Sequence, residues 1–176
     1  MREADPNERA NYAMAIVVLP WHPRYLLRAF RDDFASHPPC ETLRAGRSAA
    51  RNASGLVFAL APDEWLLLPE DGATHPAPDQ TRPDVALIDV SSAQLVVRLE
   101  GDRALDMLMS GCGVDLDSQR FRIDDFAQTR LGPFAVLIHR AGETAYNIHI
   151  ERSLVDSLRG WLEASASALN LAEGAS

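Results

Sequence analysis

Apolar residues come in short runs separated by turn residues, which is the pattern of a strand-rich chain. Residues 1–12 are polar and predict a frayed, flexible tail. Ala13 to Leu19 is a compact apolar run closed by Pro20 and predicts a buried strand. Arg24 to Phe34 is ambiguous: Leu26, Leu27, Phe30 and Phe34 fit a helical face, whereas Tyr25 to Ala29 fits a strand. The His37 to Cys40 stretch, with two prolines, breaks whatever precedes it. Val57 to Leu60 and Trp65 to Leu68 predict two strands around a Pro62-Asp63 turn. The span from Glu70 to Asp84 holds three prolines and no apolar residue larger than alanine, so it predicts a linker.

Beyond it, Val85 to Val90 predicts a strand, and Gln94 to Glu100 alternates with Leu95, Val97 and Leu99 on one face. Asp102 can cap a helix from Arg103 whose stripe is Ala104, Leu105, Leu108 and Met109, stopped by Gly111 and Gly113. A loop is expected next. Phe134 to His139 and Thr144 to Ile150 predict a hairpin. Ser153 opens the last helix, with Asp156 at the capping-box spacing and Leu154, Val155, Leu158, Trp161 and Leu162 on its apolar face. The fold class expected is α+β, with mainly antiparallel sheets and helices on one face. The expected organisation is a tail over 1–12, an N-terminal subdomain over 13–70, a linker over 71–83, a C-terminal ferredoxin-like subdomain over 84–170 and a flexible tail over 171–176.

Composition removes several chemistries. All 17 basic residues are Arg, so there is no Schiff-base lysine and no phosphate-loop lysine. The net charge of −8, with Arg scattered along the chain, argues against a nucleic-acid partner. At 176 residues a (β/α)₈ barrel is excluded. The polar N-terminus resembles no signal peptide, and no apolar run approaches the span of a bilayer. The expectation is a cytoplasmic protein with no membrane association, in which Cys40 and Cys112 are free thiols.

Candidate chemistry is sparse. Of the five histidines (His22, His37, His75, His139 and His149), His139 and His149 lie on paired strands and can face each other, as a base or half a metal site. No third ligand accompanies them, and a surface or satisfied sheet position explains them better. Cys112 follows a helix C-terminus, where the helix dipole disfavours a thiolate nucleophile. Asp32 with Asp33, and Asp124 with Asp125, are neighbours that point apart on extended chain and read as solvated. Asp115 and Asp117 offer too few oxygens for a cation. No catalytic, cofactor-binding or metal residue is assigned.

Ala59 to Leu68, Ile88 to Ser92, Gly111 to Leu116 and Tyr146 to Ser153, in this order, resemble the gamma subunit of heterotetrameric sarcosine oxidase. Ala59 to Leu68 (ALAPDEWLLL) is similar to that family's strand-turn-strand, and Ile88 to Ser92 with Val97 to Ala104 to its "DVS…G" segment. Gly111 to Leu116, Phe121 and Ala127 to Gly132 resemble its "GCxxDL…F…QTRL" block, and Tyr146 to Ser153 the approach to its last helix. The resemblance runs from about Val57 to Trp161. It implies a folate-binding fold like that of the glycine-cleavage T-protein, made of two small packed subdomains. Gly132 is followed by the apolar Pro133 to Ile138 where the T-protein family carries an acidic folate-site residue, so the resemblance implies that the site is lost. Asp89 is the one remaining candidate carboxylate, and fixing the loop at Ser91 and Ser92 is its commoner role. The resemblance further implies a non-catalytic accessory subunit. It would have no cofactor of its own, with FAD, FMN, NAD and tetrahydrofolate held by partner subunits. Its partners would be the large alpha subunit and the beta and delta subunits of an oxidoreductase complex in sarcosine and one-carbon metabolism. Trp21, Trp65 and Trp161 are candidate interface anchors, though Trp65 and Trp161 also fall on apolar stripes that suit a core. Expressed alone, the chain can self-associate through an orphaned interface. Alternatives are a gamma-like subunit of a related N-methyl amine demethylase, a free-standing folate-binding or aminomethyltransferase-like protein, and a small hydrolase using Cys112 and His139.

Overall fold

The computed structural model describes residues 14–29, 49–52, 55–70 and 84–173. Ten strands follow in order: β1 (Ala15–Val18), β2 (Tyr25–Ala29), β3 (Ala50–Asn52), β4 (Gly55–Ala61), β5 (Glu64–Pro69), β6 (Val85–Asp89), β7 (Gln94–Glu100), β8 (Phe126–Leu131), β9 (Phe134–Arg140) and β10 (Ala145–Glu151). Helix α1 (Ala104–Gly111) separates β7 from β8. A 3₁₀ turn (Arg152–Leu154) leads into α2 (Val155–Glu173). No helix among the described residues is long and apolar enough to cross a membrane.

The strands form two five-stranded sheets with all recorded pairings antiparallel, β1-β7-β10-β9-β8 and β3-β4-β5-β2-β6. The α+β class with mainly antiparallel sheets is as expected. The ambiguous stretch after Arg24 resolves as a strand, because Leu26 and Leu27 pair on both sides, with β5 and β6. The sheets do not divide at residues 71–83. β1 joins the sheet of β7 to β10, while β6 leaves that sheet to pair with β2. Residues 84–170 therefore lack the ferredoxin-like sheet expected of them. β6 is replaced at one edge by β1, and β8 is added at the other where a loop was expected.

Three apolar layers result. One face of the first sheet packs under both helices through Val97, Leu99, Ile138, Tyr146, Ile148 and Ile150, meeting Leu108 of α1 and Leu158 and Leu162 of α2. The opposite face meets the second sheet through Phe126 and Leu137 against Leu56, Phe58 and Leu66. The far face of the second sheet gathers Leu27, Val57, Trp65 and Leu67. In α1 the buried positions are Ala104, Met107 and Leu108, and Met109 is exposed; the true stripe is rotated from the expected one, and Arg103 precedes the helix without a side-chain cap. Trp161 lies across Gly111 and Gly132, and at Gly132 (φ +54°) an added Cβ would sit 2.8 Å from the indole. Both glycines are where they are because the ring occupies the space a side chain would need.

Candidate functional site

The period-2 alternation of β10 decides where its polar residues go. Tyr146, Ile148 and Ile150 face the helices, so Asn147 and His149 face the second sheet. His139 of β9 stands directly across from Asn147. Phe58 of β4 closes over both histidines edge-on, with ring centroids 5.1 Å from His139 and 5.3 Å from His149. His139 and His149 do come together under Phe58, in the layer between the sheets rather than at a surface.

Burial governs both rings. His139 Nε2 lies 3.3 Å from Asp124 Oδ1, which selects the tautomer donating from Nε2. Burial lowers the His139 pKa, and the Asp124 carboxylate opposes this without reversing it. His149 is pushed down to about 3, first by burial and then by the neighbouring Arg24 and His139. Neither ring nitrogen of His149 has a hydrogen-bond partner among the described residues, and its burial makes it no surface histidine. Arg24 enters the same layer just before β2; its backbone N–H donates to Ser91 Oγ (2.9 Å) and its guanidinium donates to the Gln94 carbonyl. Arg24 Nε, Gln94 Oε1, Asn147 Oδ1 and His139 Nδ1 are also unpartnered buried atoms.

Several carboxylates hold backbone in place. Asp125 is buried and accepts from the Arg122 N–H (2.8 Å), which corrects the solvated reading of that residue. Asp124 (φ +67°) bonds through its backbone to Ala49 and Arg140, and its side chain meets His139 and Arg51. Asp89 Oδ1 accepts from the Ser91 N–H (2.9 Å), the loop-fixing role anticipated for it. Asp115 accepts from the Asp117 N–H and Asp117 from the Gln119 N–H, so both shape their loop. Buried Arg140 donates to the carbonyls of Phe121, Gly142 and Glu143. Cys112 is a free thiol, 3.9 Å from Thr129 Oγ1 and far along the sheet from the histidines. His37, His75, Asp32, Asp33 and Cys40 lie outside the described residues. Among the described residues no three His, Cys, Asp or Glu side chains converge to hold a metal. An open groove is lined by Ala93, Gln94, Glu151, Arg152 and Ser153.

Sequence reasoning missed Arg24, Gln94, Asn147 and Phe58 as members of the inter-sheet cluster. The alternation in β10 was a signal for Asn147 and His149; for Arg24 none existed, because its burial depends on pairing remote in sequence.

The Sarcosine oxidase, gamma subunit family model matches residues 46–168. The sarcosine oxidase subunit gamma of Corynebacterium sp. (strain U-96) is 30% identical over 137 residues, covering 73% of this chain and 64% of that one. The chain thus spans under two thirds of that relative's length. Among solved structures, the heterotetrameric sarcosine oxidase of Corynebacterium sp. U-96 in complex with pyrrole 2-carboxylate contains a similar chain. That chain superposes with a TM-score of 0.71 at 25% identity, over 88% of this chain and 84% of its own length. What these matches share is a class, the subunits of sarcosine oxidases. The chain belongs to the sarcosine oxidase gamma subunit family.

Proposed function

We propose that the chain is a non-catalytic accessory (gamma) subunit of a sarcosine-oxidase-like flavoenzyme complex. That complex oxidatively demethylates sarcosine to glycine and passes the one-carbon unit to tetrahydrofolate. FAD, FMN, NAD and tetrahydrofolate belong to its alpha, beta and delta subunits, which are the partners of this chain. The observation that carries the reading is the family match joined to the disposition of the titratable groups. The two histidines are sealed between sheets, and Asp89, Asp125 and Arg140 hold backbone. A general base must reach the proton it removes, and His149 is buried between the sheets. A folate-binding-like fold without its site fits the same facts. The strand after Gly132 presents Phe134, Val136 and Ile138 to the helix layer, with no carboxylate along β9, and Asp89 is engaged with Ser91.

The test is expression alone and together with the neighbouring genes, followed by native mass spectrometry and flavin absorbance. The expected result is a colourless chain alone and a yellow complex containing one copy of it. A chain that ignores the large subunits and binds tetrahydrofolate by itself would instead be a free-standing folate-binding protein.

A further inference from the structure

Among the described residues the sandwich is closed at one side and open at the other. Register places Val17, Arg98, Asn147, His139 and Phe126 in one row across the inward face of the first sheet. Ile88, Leu26, Leu66 and Phe58 form a row on the inward face of the second. Phe58, His139 and Phe126 are buried at one end of these rows. At the other end Val17 and Ile88 are 49% and 45% exposed, each on an edge strand, β1 or β6. Trp21, 59% exposed, lies on the segment that carries the chain from β1 to β2. Three of the five exposed large hydrophobics among the described residues therefore belong to the strands and connection of this open side. Met109 on α1 and Ile123 before β8 do not.

Among the described residues β1 is also an unguarded edge. The Leu19 N–H donates to the Val96 carbonyl, which sets the alternation of the ladder. Ala15 and Val17 turn their backbone groups toward β7, and Ile16 and Val18 turn theirs outward. Among the described residues no strand pairs on that outer side. Exposed edges are ordinarily blunted by charge, proline or a bulge, and the sequence AIVV has none of these. The opposite edge, β8, carries Gln128 and Arg130 and is bridged at Leu131 by Cys112. The short β3 carries Arg51, which pairs with Glu70 and Asp124.

We propose that β1, with Val17, Trp21 and Ile88, is the surface on which a larger subunit of the same complex docks, adding an uncharged extended segment beside β1 as a sixth strand. The inference rests on the accessory-subunit reading above. The occupant follows from the edge. Outward N–H and C=O groups at Ile16 and Val18 call for a backbone partner at about 4.8 Å, which a helix does not supply. The alternate side chains of such a strand would meet Val17 on one face and extend the layer under α2 on the other.

The test co-expresses the tagged full chain with its neighbouring subunit genes and reads incorporation by affinity purification and native mass spectrometry. Val18→Pro removes one outward N–H, and Val18→Ala removes the same packing while keeping that N–H. The expected result is a loss of incorporation of about ten-fold or more for Val18→Pro and for the Trp21→Ala, Ile88→Asp pair. Val18→Ala and the Met109→Asp, Ile123→Asp pair should assemble like wild type, with thermal melts confirming that every variant folds. Normal assembly of Val18→Pro and of the Trp21, Ile88 pair overturns the proposal. So does a homodimer through β1 that Val18→Pro abolishes while the large subunit still binds. If the unaltered chain fails to join any complex, the accessory reading falls, and this proposal with it.

Discussion

The two faces of the first sheet are built from the same strands and hold opposite kinds of interior. Toward the helices, β7, β9 and β10 present Val97, Leu99, Val136, Ile138, Ile148 and Ile150, and shape does the stabilising. Toward the second sheet the same strands present Gln94, His139, Asn147 and His149, under Phe58 and beside Arg24. An unpaired buried polar group costs about 1–3 kcal/mol, so the second layer is the weaker one. Buried histidines beside an arginine look like a site when read as residue types. Their place between two sheets, with His149 pushed down to about 3 by burial, makes them an interior feature that acid destabilises.

Acid should break the contrast most strongly. His149 titrates at about 3 when folded, against 6.5 as its ordinary value. Below pH 6.5 the unfolded chain therefore takes up a proton that the folded chain refuses. Stability is full above pH 6.5 and falls as pH drops toward 3, by on the order of 1.4 kcal/mol per pH unit from this residue. His139, also lowered, adds in the same direction. Urea midpoints across that range measure the slope, and His149→Leu should flatten it; an unchanged slope would put the sensitivity elsewhere. Next in size, Leu158→Ala in the helix layer should lose about 2–5 kcal/mol in denaturant melts with little dependence on pH. Gly132→Ala, at positive φ and against the Trp161 ring, should lose about 1–3 kcal/mol and shift tryptophan emission. Smallest is His149→Leu at neutral pH. Removing an unpartnered ring should leave stability within about 1 kcal/mol of wild type or raise it, whereas a loss of several would show that the imidazole is satisfied after all.

Local pattern was legible wherever apolar residues announced their own period. The hairpin of β9 and β10, the Pro62-Asp63 turn between β4 and β5, and the buried face of α2 at Val155, Leu158 and Leu162 stand as expected. β8 was hidden because Ala127, Gln128, Thr129 and Arg130 are small or polar between Phe126 and Leu131. Its strand character comes from the ladder with β9 rather than from propensity. The α1 stripe was displaced because Met107 and Met109 are equally apolar, and only packing chooses between them. The partition into sheets was illegible for a related reason. Which strand pairs with β7 or β2 is settled by contacts between distant segments, which periodicity does not record. The inter-sheet cluster inherits that limit, since Arg24 becomes a neighbour of His149 only after the sheets exist.

The crossing of strands between sheets carries a consequence for biosynthesis. Ala15 pairs with Glu100, and Tyr25 with Asp89, so neither sheet is completed by its own half of the chain. As the polypeptide leaves the ribosome, β1 must wait for β7, and the central position of the first sheet stays vacant until β10 arrives late in translation. Ordering of this kind is slow, because distant ends must meet before either is rewarded. The emerging chain thus carries an uncharged AIVV segment unpaired through most of its synthesis. Until then that segment is the stretch of the nascent chain most open to mispairing with another strand.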